Sequence, residues 1–191
     1  MEDRPVGSPS SDPLTLTAQE TASAAIFPSF TCTTAWTLGL ALRTRVLSLP
    51  SDQRKPALIS IALAGTDGEP HVIFQCATEP GTVADNEAWV RRKRNTVLRW
   101  GQSSWLVRNK MIASHGGTQG LEAAFAAKFA LKSSCGGAAA DEYAIHGGGF
   151  PVRVKGVDGI VAVVVVSGLK QEHDHQVVAE VVDEFIRQGG A

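Results

Sequence analysis

Cysteine is scarce and unpatterned. Cys32, Cys76 and Cys135 are widely spaced, odd in number and outside any C-x-x-C pair. That excludes a disulfide scaffold and a thiolate zinc site, and it suits a reducing, cytoplasmic setting. Long apolar runs are missing too. The longest, Ile160 to Val166, is far short of the roughly 18 to 20 residues that a bilayer requires, so no membrane span is expected. The opening string MEDRPVGSPSSDP has neither an apolar core nor an arginine-rich amphipathic pattern, and no signal peptide is expected there. Neither sign of charge dominates: 18 Lys and Arg stand against 19 Asp and Glu, a formal net charge of −1. Without a basic excess, nucleic acid is not an expected partner. There is no internal repeat. With 191 residues, 43% hydrophobic and 19% charged, the chain has the size and make-up of one ordinary globular domain.

Residues 1–25 are rich in Ser, Pro, Thr and Ala with few large apolar side chains, so a disordered tail is expected there, ahead of a single domain over 26–188. From Thr33 to Leu49 the residues Ala35, Leu38, Leu42, Val46 and Leu49 recur at helical spacing, and Pro50 stops the run. ALISIALA (57–64) and HVIFQC (71–76) read as two strands around an Asp-Gly turn. Helices are predicted over Val83–Trp100, Ser103–Ala113, Leu121–Leu131 and Gln171–Arg187, with a low-complexity loop, SSCGGAAA, at 133–140. Phe150–Lys155 and Ile160–Ser167 form a second hairpin around Gly156–Gly159. IVAVVVVS is apolar on both faces and belongs in the middle of a covered sheet. Hairpins rather than βαβ units point to an α+β fold with a mostly antiparallel sheet.

Two segments invite chemistry. In Arg91-Arg92-Lys93-Arg94, four consecutive residues spread around the helix axis, so Arg91, Arg92 and Arg94 read as a solvated face. At about 100° per residue, Lys93 instead falls between Val97 and Trp100 inside the apolar stripe. A buried ammonium needs a carboxylate, a carbonyl or an anionic ligand. The alternative is a packed stem with its ammonium reaching a rim carboxylate. In His146-Gly147-Gly148-Gly149-Phe150-Pro151, three glycines let the backbone approach a ligand and could form an anion-binding nest, or simply make a tight turn into a strand. H-G-G-G is also the oxyanion string of lipase-like hydrolases, but no G-x-S-x-G elbow exists and too little chain follows to build the rest of that fold.

Antiparallel pairing about Gly156–Gly159 places Pro151 opposite Val164 and Gly148 opposite Ser167, within a residue or two. The glycine string then lies beside the start of the last helix, whose free N–H groups make an anion site. His175 falls on that helix's buried stripe, so His146, Ser167 and His175 are expected to converge at one sheet end. His173, about 200° away, should face solvent and cannot share a metal with His175, and no metal site is expected.

In order, FPSF (27–30), AWTLGLAL (35–42), DNEAWVRRKRNTV (85–97), HGGGFPVRV (146–154) and VSGL-x-QE-x-DH (166–175) resemble the haem-degrading-domain family of GlcG/HbpS-like proteins. The resemblance runs from about Ile26 to Ile186 and implies a profilin-like α/β/α sandwich and a homo-oligomer. It also implies haem or tetrapyrrole binding, with haem as the candidate cofactor, and haem breakdown. Matching positions include Asn86, Trp89, Arg92, Lys93, Asn95, His146, Gly147, Gly148, Ser167, Gly168, Asp174 and His175. The chain departs from the pattern in its polar N-terminus, at Leu49–Lys55 and in the 133–140 loop.

The leading expectation is an oligomeric cytoplasmic protein that binds a small anionic or tetrapyrrole ligand. Lys93, His146, Gly147, Gly148, Gly149, Ser167 and His175 would contact it, supported by Asn86, Trp89, Arg92, Asn95 and Asp174. The alternative is a non-enzymatic oligomeric scaffold acting through protein contacts. A third reading is an isomerase or hydrolase with Lys93 or His175 as base.

Overall fold

A computed structural model describes residues 3–22, 25–65, 70–131 and 140–189. Strands β1 (Leu58–Leu63), β2 (His71–Ala77), β3 (Gly149–Val152) and β4 (Ala162–Ser167) form one antiparallel sheet in the order β2-β1-β4-β3. The doubly apolar β4 is an inner strand, and every one of its residues is buried. Pro151 sits on the edge strand β3, where its missing N–H leaves no ladder bond unmade. Phe150 pairs with Val164 and Pro151 with Val163, one residue from the expected register. The Asp-Gly turn between β1 and β2 and most of the 133–140 loop, with Cys135, lie outside the described residues.

Helices cover both faces of the sheet, giving three layers of an α+β fold. Helix α2 (Cys32–Leu47), capped by the Thr31 side chain, and α6 (Gln171–Arg187) lie on one face. Their Leu38, Leu42, Val178 and Val182 pack with Ile59, Ile61, Val164 and Val166. Helix α3 (Ala84–Trp100) lies on the other, where Val90 and Val97 meet Val163 and Val165. The alternation along β4 thus feeds two cores at once. Helices α4 (Ser104–His115) and α5 (Leu121–Lys128) extend the α3 layer around Val107, Phe125 and Ile145. Helix α5 stops three residues before its expected end, and Ala130 takes a left-handed φ of 52°.

The N-terminal segment corrects the sequence expectation. Of the supposed tail, Pro13–Thr21 forms helix α1, capped by the Asp12 carboxylate, which accepts from the Thr15 N–H. Leu16 is 1% exposed and Val6 is buried. The Trp105 indole N–H donates to the Ser10 carbonyl, and the Glu20 carboxylate accepts from the Ser103 N–H at the start of α4. Arg45 donates to the carbonyls of Arg4 and Pro5 and pairs with Glu180. Composition misses this docking because two apolar side chains and a few well-placed polar groups anchor the segment, rather than an apolar stripe.

A docked α1 predicts that Leu16→Ala lowers the stability of the whole chain by about 2–5 kcal/mol, the range for truncating a buried leucine. Urea unfolding followed by tryptophan fluorescence checks it. A free tail would leave the midpoint unchanged.

Candidate functional site

Lys93 fixes the geometry at one end of the sheet. It lies one turn after Trp89 on α3 and is carried inward with Val90 and Val97. Its Nζ is 2.9 Å from Asp174 Oδ2 and donates to the Val166 carbonyl at 3.1 Å, with both charged side chains 3% exposed. Asp174 also accepts from the Leu169 N–H at 3.0 Å and the Gly168 N–H at 3.4 Å. Burial pushes the Asp174 carboxyl above its ordinary pKa, against the pull of the Lys93 ammonium and these N–H groups. The expected rim carboxylate is therefore a buried one, and the ammonium is already committed to it.

The glycines serve this contact rather than a ligand. A side chain at Gly147 would run into the Gln171 carbonyl, one at Gly148 into the Val166 carbonyl, and one at Gly149 would crowd Val97 and the Lys93 carbonyl. Gly148 also holds φ at +118°, which L side chains rarely adopt. The string is a close-packing device joining α3, β4 and α6, and none of the three glycines lines the cavity beside it. The anion-nest expectation for Gly147, Gly148 and Gly149 is corrected accordingly.

That cavity, about 550 Å³, is walled by Asn86, Trp89, Lys93 and His146 on one side and by Ser167 and residues 168–172 on the other, with Val83, Asp85 and Asp174 completing it. Asn86 accepts from the Val83 N–H and donates to the Ser167 carbonyl, so it caps α3 and ties it to the end of β4. The start of α6 faces the cavity with no side-chain cap on its first turn, leaving N–H groups available to an acceptor. Asp85 and Glu172 add negative charge at the same wall.

His146 stands edge-on to Trp89 with ring centroids 4.8 Å apart. On Trp89 itself the Arg92 guanidinium stacks at 4.6 Å while donating to the Tyr143 carbonyl. Burial lowers the His146 pKa, opposed by Glu122, whose carboxylate is 3.6 Å from Nε2. The ring is thus neutral near pH 7, and its buried Nδ1 has no hydrogen-bond partner among the described residues.

The structure separates what the sequence brought together at two positions. His175 does not enter this cavity. It lies on the other side of the start of α6, between Trp105 and Phe150, and lines a hollow of about 350 Å³ with Leu16 and Glu20 of α1. Burial pushes its pKa down to about 3. The buried stripe of α6 faces the sheet and α1, while Asp174, one residue earlier and about 100° around, faces Lys93. Asn95 donates to the Glu142 carbonyl and lies away from the cavity. His173 is half-buried rather than solvent-facing, and Arg94 is buried rather than part of a solvated face. Sequence reading missed Glu122 as the neighbour of His146, since no spacing signals that pair. Among the described residues no group of three His, Cys, Asp or Glu side chains is placed to hold a metal ion.

The family model described as "Haem degrading protein HbpS-like" matches residues 30–183, and the chain belongs to that family. A UPF0303 protein of Streptomyces coelicolor is 37% identical over 161 residues, covering 84% of this chain and 86% of its own length. One of Psychromonas ingrahamii is 35% identical over 162 residues, with the same coverage. The crystal structure of Ybr137w protein superposes with a TM-score of 0.74 at 28% identity, covering 94% of this chain and 90% of that one. HbpS shares the fold at a TM-score of 0.53 and 17% identity, covering 81% and 88%.

Two outcomes follow. Lys93→Met should destabilise the chain by about 3–5 kcal/mol because it leaves Asp174 buried without its cation. The double variant Lys93→Met/Asp174→Leu should recover part of that loss in urea unfolding, and an unaffected single variant would contradict the ion pair. For His175, the folded chain binds fewer protons than the unfolded chain between its folded pKa of about 3 and the ordinary 6.5. Its contribution is therefore intact above pH 6.5 and lost as pH falls, with a slope approaching about 1.4 kcal/mol per pH unit. Unfolding midpoints at pH 7 and 5 should differ less in His175→Phe than in the wild type. Equal differences would place the ring in water.

Proposed function

We propose that this HbpS-like protein binds a small conjugated, carboxylate-bearing ligand of the tetrapyrrole class in the cavity between α3 and the start of α6. The observation that carries the proposal is His146, a neutral imidazole with an unpartnered buried Nδ1, standing against Trp89 in the cavity wall. An aromatic face suits a flat conjugated body, and the uncapped first turn of α6 with Lys170 suits a carboxylate. The volume lies in the range of small-molecule sites.

The residues fit haem as one member of that class. His146 would hold it by its imidazole, Trp89 would flank it, and the start of α6 would take a propionate. Bound haem supplies an iron centre whose reactivity depends on axial ligation and pocket polarity. The chain's own part is to keep His146 unprotonated through burial and to orient Trp89 beneath Arg92. Lys93 acts through Asp174 as a positioning residue that holds the cavity's two walls together. Asp85 and Glu172 work against a polyanion, which favours a ligand with few carboxylates over one with many.

Self-association is common to both readings, and the second is an oligomeric scaffold that acts through it alone. It is supported by Trp36, 59% exposed, and the exposed Leu40 on α2, next to the edge strand β2.

Titration with haemin separates the two. The ligand-binding reading expects a saturable Soret shift in the wild type, weakened at least about tenfold in His146→Ala, the scale of losing one good polar contact, and little changed in His175→Phe. No saturable shift, or one indifferent to His146→Ala, overturns it. Light scattering on the same samples reports whether assembly survives loss of the ligand.

A further inference from the structure

The face of α3 turned away from Lys93 carries a second anomaly. Arg94 is 3% exposed, yet among the described residues its guanidinium donates no hydrogen bond and has no carboxylate within ion-pair distance. Its Nη1 is fully buried without a partner. A guanidinium cannot escape by losing a proton at physiological pH, and an unpaired buried charge is strongly destabilising.

The neighbours of Arg94 are already occupied. Arg91 pairs with Glu142 at 3.3 Å, Glu87 accepts from Gln75 at 3.0 Å, and Arg99 donates to the Tyr143 hydroxyl while stacking over that ring. These side chains, with Leu63, Leu98 and Pro70, line a groove of about 660 Å³ on the far side of α3 from the His146 cavity. Arg94 lines it too, and is the one of its three guanidinium groups with no partner among the described residues. Among the described residues, three guanidinium groups against two carboxylates leave the groove one positive charge in excess.

We propose that this groove is a second, independent ligand site, which takes the carboxylate of a small organic acid on Arg94, with its apolar body against Leu63 and Leu98. The guanidinium fork matches a carboxylate, and a single excess charge suits a monoanion better than a phosphate dianion.

Thermal melting of the full chain with benzoate, and separately with inorganic phosphate, tests this. Saturating benzoate should raise the wild-type Tm by about 4 °C or more, leave Arg94→Met unshifted, and shift Arg94→Lys less than the wild type. The rise should persist in His146→Ala, which places it outside the first cavity. Without ligand, Arg94→Met should melt no lower than the wild type, because an unpaired charge has been removed. Melting well below it means that Arg94 has a structural partner and overturns the proposal. So does a response to phosphate but not benzoate, or an equal benzoate shift in wild type and Arg94→Met. Asp67→Asn/Glu69→Gln should change neither apo stability nor the benzoate shift. A loss of apo stability there would assign Arg94 to a carboxylate of the chain itself and would also overturn the proposal.

Discussion

The ion pair between Lys93 and Asp174 is the contact on which the rest of this end of the molecule depends. It joins the middle of α3 to the first turn of α6 across the end of β4, and its carboxylate also gathers the N–H groups of Gly168 and Leu169. A buried pair of this kind is stabilising only when its remaining hydrogen-bonding capacity is met. Here the Val166 carbonyl and two backbone N–H groups meet much of it. The approach of α3 and α6 leaves no room for a Cβ at residues 147 to 149, so the glycine string follows from the pair's geometry. The cavity is the space left beside that junction, where the walls diverge from Lys93 toward Trp89 and Lys170.

Burial acts on the two candidate histidines in the same direction and to different ends. His146 is partly buried, keeps a carboxylate neighbour and faces a cavity large enough for a ligand. His175 is enclosed between aromatic rings next to α1, with nothing to offset its desolvation. The first is a neutral base at a ligand-sized wall, while the second is a core residue whose charging opposes folding. Family membership fits the first role without specifying a reaction, because the matching description names a class of proteins and not a step carried out by particular side chains.

Much of the fold was legible because the signals were local and redundant. The double apolarity of 160–167, the unbroken helical run expected over Val83–Trp100 and found as Ala84–Trp100, and the stripe Val178, Val181, Val182 and Phe185 each point to one structure from local pattern alone. Helix α1 was not legible, since Leu16 and Val6 are isolated apolar residues in a polar segment, and their value lies in the hollows that other elements form. The same limit applied to Arg94. Arg91 is solvated and Arg92 and Asn95 are half-buried, and the depth of Arg94 comes from the packing of α3 beside β1 rather than from its position in a basic run.

Sequence by itself determined the antiparallel hairpins, the central place of β4, the inward direction of Lys93 and the presence of His146, Ser167 and the start of α6 at one sheet end. These follow from residue period and turn chemistry, which act within a few residues. Tertiary structure alone decided that Lys93 is neutralised by Asp174, that the glycines pack against backbone, that His175 belongs to a different hollow, and that the N-terminal segment is docked. Each of those depends on which side of a helix meets a distant neighbour, and a rotation of one residue, about 100°, is enough to move a side chain from one cavity to another.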